Sequence, residues 1–140
     1  MTQENIPSIT TNLFIGGHEF SIDDLSSLLG VEPTKIWIRP QKLEWLKAAA
    51  PEMASMGWRY TMERQRKWSL GEAIDEVLEV VWSKKEELRR FLLDNRLKLH
   101  IDCRPFGDAS VLEYVIQPEV IIKMGFFAAS LSLAVYKDEL

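Results

Sequence analysis

The chain has 140 residues, 46% of them hydrophobic and 27% charged, with one cysteine and a formal net charge of −4. A chain of this length buries roughly two-thirds of the surface it exposes unfolded, so one domain can close its own core without a disulfide or a structural metal. The acidic balance argues against a surface that grips a phosphate backbone, the lone Cys103 excludes an internal disulfide or a multi-cysteine metal centre, and no stretch approaches the ~18 consecutive apolar residues of a membrane-spanning helix.

In chain order, the polar start Met1-Thr2-Gln3-Glu4-Asn5-Ile6-Pro7 lacks the basic and apolar regions of a signal peptide, and a cytoplasmic protein is expected. Thr10 to Ile15 is a short β-prone run that Gly16-Gly17 breaks. Ser21 then opens a helix, with Asp23 and Asp24 at its positive end, Ile22, Leu25, Leu28 and Leu29 as its apolar stripe, and Gly30 at the left-handed cap. Lys35 to Arg39 alternates as a strand until Pro40 stops it. Gln41 to Ala50, with Leu43, Trp45 and Leu46, has the spacing of a small helix inside an enlarged insertion at about 41–57. Trp58 to Lys67 returns as a strand whose Trp58, Tyr60 and Met62 share one side, and its basic residues read as a solvated strand face.

The organising stretch runs from Ser69 to about Arg96. Leu70, Ile74, Val77, Leu78, Val81, Leu88, Phe91 and Leu92 recur at spacings of three and four, which predicts one long amphipathic helix. Ser69 followed by Glu72 has the capping-box pattern. The stripe falters at Lys84 and Lys85, so the helix either bends there or lays the lysine stems on the core. Leu97, Leu99, Ile101 and Cys103 then alternate with Lys98, His100, Asp102 and Arg104, the pattern of a strand with one buried and one wet face. Asp108 to Val115 supplies a turn and a short strand. Pro118 suits the first turn of a helix carrying Val120, Ile121 and Met124, and Leu131, Leu133 and Val135 form a last core-facing strand. The closing Lys137-Asp138-Glu139-Leu140 spells a retention address, read as coincidence in a chain expected to stay in the cytoplasm.

Several of these runs carry a family likeness. Phe14 to Thr34, with Leu29-Gly30-Val31-Glu32-Pro33-Thr34 as its most specific part, then Trp58 and Tyr60, Trp68-Ser69 and the long helix, then Gln117 to Gly125 leading to Ser130 to Tyr136, resemble a family of small bacterial proteins known only as a domain of unknown function (DUF4279-like). The likeness covers nearly the whole chain and implies a bacterial origin, but brings no catalytic residue with it. Arg39-Pro40-Gln41 stands where that family has a lysine-glycine turn.

The expected architecture is a single α+β domain, a ferredoxin-like sandwich in which helices cover one face of a largely antiparallel sheet. No nucleotide loop, nucleophile elbow or zinc-protease motif is present, and no cofactor or metal is expected. The candidate catalytic residues are His100 and Asp102, side by side on the wet face of their strand, with His18 and Glu19 as potential neighbours for acid–base chemistry or metal binding. Among five tryptophans, Trp58 and Trp68 are assigned to the core, while Trp37 and Trp45, with His18, are candidates for a ligand or partner surface. The leading expectation is a non-enzymatic protein-interaction or regulatory module that forms homodimers or engages another protein through the wet face. The alternative is a small-molecule binder or minor hydrolase using His100 and Asp102 there.

Overall fold

The computed structural model of the chain describes residues 7–38, 56–107 and 109–134. The expected helix at 41–50, most of the 41–57 insertion, Trp45 and Tyr136 lie outside them. The described elements are β1 (Ser8–Gly17), α1 (Ile22–Leu29), β2 (Lys35–Trp37), β3 (Met56–Arg66), α2 (Leu70–Trp82), α3 (Lys85–Asp94), β4 (Lys98–Phe106), a 3-10 turn (Ala109–Val111), α4 (Pro118–Phe126) and β5 (Ser130–Leu133). No helix among them is long and apolar enough to cross a membrane.

The five strands form one open sheet in the order β2-β3-β1-β4-β5. The first three pairings are antiparallel and the last, β4 with β5, is parallel, as a connection through α4 requires. β1 is central and runs through Gly16-Gly17, where the sequence pattern predicted a break. Ile9, Leu13 and Ile15 from β1, Trp58 from β3, and Leu99, Ile101 and Cys103 from β4 share one face. Leu25 and Leu29 of α1, Ile74, Val77, Leu78 and Val81 of α2, Leu88 and Leu92 of α3 and Val120 of α4 close over it in a single apolar cluster. All four described helices therefore occupy the same side of the sheet.

Local chemistry sets the helix starts. The Ser21 hydroxyl accepts the Asp24 N–H at 3.2 Å and the Ser69 hydroxyl accepts the Glu72 N–H at 3.1 Å, each satisfying a donor that the first turn leaves unpaired. The expected long helix is two. It breaks at Ser83 and Lys84, where no apolar residue continues the stripe, and a fresh start at Lys85 lets Leu88 and Leu92 return to the core. The Lys85 ammonium lies over the Trp82 ring, 4.5 Å from its centre, a cation–π contact at the start of α3.

Three apolar expectations at the periphery are corrected. Leu133 is 40% exposed because β5 is an edge strand of the described sheet, and Ile121 is 55% exposed because Val120 is the residue that α4 turns inward. Trp68, assigned to the core, is 39% exposed just ahead of α2. The expected strand near Val115 is a single bridge between Ser69 and Glu113.

Candidate functional site

Strand register decides which polar residues meet. β1 pairs Asn12 with Asp102 and Phe14 with His100 on one side, and Asn12 with Thr61 and Phe14 with Arg59 on the other. β5 sets Ser130 beside His100 and Ser132 beside Asp102. Because side chains alternate along a strand, all of these project from the face opposite the helices.

Thr61, Asn12, Asp102, Ser132, His100 and Ser130 form one chain of hydrogen bonds across four strands. The Thr61 hydroxyl donates to Asn12 Oδ1 at 2.7 Å, and Asn12 Nδ2 donates a long bond to Asp102 Oδ2 at 3.4 Å. Arg104 Nε also donates to Oδ2, at 2.7 Å, and Ser132 donates to Asp102 Oδ1 at 2.7 Å. His100 lies between the two serines, Nδ1 2.6 Å from the Ser130 hydroxyl and Nε2 2.8 Å from that of Ser132. Ser132 has one hydroxyl hydrogen, which Asp102 takes, so its lone pair must accept from His100 Nε2–H. A neutral His100 then accepts the Ser130 hydroxyl proton at Nδ1, which assigns the tautomer.

The face expected to be wet is not. His100 and Asp102 are each 1% exposed, Asn12 is 6% exposed, and Phe14 and Trp37 are buried with them. Such burial is tolerated because the carboxylate is satisfied: an arginine and two hydroxyl or amide donors replace its water. Trp37 is accordingly no surface residue. Its ring meets Phe14 edge-on with centroids 5.9 Å apart and lies across Gly57, where an added Cβ would fall 1.9 Å from the indole. His18 and Glu19 are exposed in the turn after β1 and take no part in the network, so the structure does not bring them to His100.

These contacts limit what His100 and Asp102 can do. Asp102 is bonded to Ser132, and both imidazole nitrogens meet serine hydroxyls, so Asp102 does not orient His100 as a general base. Two clefts, one of about 520 Å³ beside α1 and one of about 190 Å³ between α3 and α4, are lined by neither His100 nor Asp102. Cys103 is no alternative nucleophile: burial first, and the Asp102 charge second, push its thiol up to about 12.

Arg59 stands out on the same face. Its Nε is buried without a hydrogen-bond acceptor, and the group is pushed below the ordinary arginine value by burial first and by the charge of Arg104 second, with Glu63 acting in the opposite sense. Sequence reading missed Arg59, Asn12, Thr61, Ser130 and Ser132 as members of this site. The available signal was alternation, Asn12 between buried Thr11 and Leu13 and Ser132 between Leu131 and Leu133, but their partners lie on other strands.

A family model described as "Domain of unknown function (DUF4279)" matches residues 7–138. No curated protein and no solved structure matches the chain.

Proposed function

The chain belongs to that family, whose description assigns no chemistry, and we propose on the grounds below that it is a non-enzymatic protein-interaction or regulatory module acting in the cytoplasm. We also infer a ferredoxin-like sandwich with β5 appended, supported by the β-α-β-β-α-β order of the elements and the strand order β2-β3-β1-β4. Against catalysis stands the engagement of both ring nitrogens of His100 and both oxygens of Asp102 in protein hydrogen bonds.

The observation that carries the interaction reading is an apolar strip on the outer surface made by Trp68, Tyr114 and Val115, which are 39%, 47% and 48% exposed. The two segments that carry it are joined by backbone bonds: Glu113 N–H to Trp68 O at 2.8 Å, Leu70 N–H to Glu113 O at 2.8 Å and Gly71 N–H to Val115 O at 2.9 Å. A backbone held in this way has less chain entropy to lose when the aromatic side chains it carries are buried on binding. The partner is a second copy of the chain, so the expected homodimer forms here and not on the sheet face. Sedimentation equilibrium tests it. The wild-type chain should self-associate, and Tyr114→Glu should be monomeric with unchanged circular dichroism. A wild-type chain that stays monomeric at high concentration removes the reading.

A further inference from the structure

α3 and α4 end in the same way. In each, the N–H two residues past the cap returns to a carbonyl of the last turn, Leu97 to Leu92 at 2.8 Å and Ala129 to Met124 at 2.9 Å. The residue just before it is left-handed, Arg96 with φ 54° and Ala128 with φ 52°. Between these two turned ends lies the cleft of about 190 Å³. Leu92, Leu97 and Phe127 line it and are buried, and the Phe126 ring adds to its wall. The formal charges in its lining are Arg89 and Lys98, both positive. Neither makes an ion pair among the described residues. The Arg89 guanidinium is held 4.9 Å from the centre of the Phe126 ring, a contact that positions it without neutralising it. Glu86 and Asp94 line a neighbouring cleft that Arg89 also borders, and neither pairs with it. The helix-end carbonyls make no demand for a cation, because Leu92 and Leu93 already accept from Leu97 and Arg96, and Met124 and Gly125 from Ala129 and Ala128.

We propose that this cleft binds a small monocarboxylic acid, its apolar body against Leu92, Leu97 and Phe127 and its carboxylate between Arg89 and Lys98. Size sets the class. A cavity of about 150 Å³ with aliphatic and aromatic walls takes one benzene ring, so this cleft accepts an apolar body of about six carbon atoms. It is too small for drug-sized ligands, whose sites start at roughly 300 Å³. Charge sets the head group, since a carboxylate accepts two guanidinium donors side by side and an ammonium donor beside them. The cleft shares no residue with the Trp68 strip, and either reading can fail without the other.

The test is calorimetric titration of the full chain with hexanoate at constant ionic strength, with hexan-1-ol and acetate as the uncharged and the tail-less controls. Hexanoate should bind saturably, and both controls at least tenfold more weakly. Its binding should move the backbone amide resonances of Leu97, Lys98 and Ala128 along the same isotherm. Arg89 and Lys98 are exposed, so Arg89→Gln and Lys98→Gln keep the fold, and each should weaken hexanoate about fivefold, ~1 kcal/mol. Absence of hexanoate binding, equal binding of either control, amide shifts that leave those three residues unmoved, or an affinity unchanged in either variant would each overturn the proposal.

Discussion

Replacing Asp102 by asparagine changes one charge and almost no volume, and so tests whether the buried network is connected as its distances imply. The carboxylate accepts from Arg104 Nε and Ser132 Oγ at 2.7 Å each. An asparagine can keep its one oxygen toward Arg104, which places its NH₂ against Ser132. Ser132 must then accept from the amide and turn its own proton toward His100 Nε2, so the imidazole has to move its proton to Nδ1 and donate to Ser130. Ser130 is exposed and can accept it. Because every partner can reverse, the cost is confined to converting charged hydrogen bonds into neutral ones, about 1.5–3 kcal/mol. At ~3 °C per kcal/mol for a chain of this size, the melting temperature should fall by about 5–9 °C. Asp102→Ala allows no such reversal and should cost more, about 3–5 kcal/mol, as a broken buried ion pair does. Urea unfolding gives the energies, and nitrogen-15 chemical shifts of the imidazole report the tautomer. An Asp102→Asn variant that loses under about 0.5 kcal/mol, the scale of a surface change, or that keeps the Nε2–H tautomer, refutes the connectivity.

Other expectations follow from single contacts. Gly57→Ala forces the Trp37 indole off the sheet, since the new Cβ would lie 1.9 Å from it; a loss of about 3 kcal/mol or more is expected from urea unfolding, with a change in tryptophan fluorescence. Ser69→Ala removes the acceptor for the Glu72 N–H and should cost about 1 kcal/mol by the same measurement. The Cys103 thiol, raised from 9.0 to about 12 by burial, binds its proton more tightly folded than unfolded. Its contribution to stability is complete below pH 9 and is lost as pH rises from 9 to 12, so Cys103→Ala should flatten the alkaline arm of the wild-type stability profile. Identical alkaline slopes for the two proteins would remove that assignment.

The sheet strands, the capped helix starts and the apolar stripe of α2 were legible because each is written in neighbouring residues. Ser69 and Glu72 are three apart, and Leu97 to Arg104 repeats with period two. The break at Lys84 was visible as a missing apolar position, although pattern alone left open whether the helix bends or carries the lysine stems across. The error on His100 and Asp102 has a different origin. Alternation reports which side chains share a face and which face is oily; it does not report exposure. Water is only one way to satisfy a polar face, and here the satisfying groups are 30 residues away at Ser130 and Ser132 and 90 away at Asn12. They can be assigned only once β4 is placed between β1 and β5. Trp37 misled for the same reason, because the floor beneath its ring is Gly57, a residue whose lack of a side chain reads as a turn in the sequence and as a seat in the fold.

Burial of this polar face also separates two roles that the alternation had merged. A network with every acceptor filled selects one strand register, since a shift of β5 by one residue would set Leu131 against His100 and leave the buried imidazole and carboxylate unsatisfied. His100 and Asp102 are therefore positioned to specify how the edge strand docks. That role is separate from the exposed Trp68, Tyr114 and Val115 side chains, on which the proposed self-association rests.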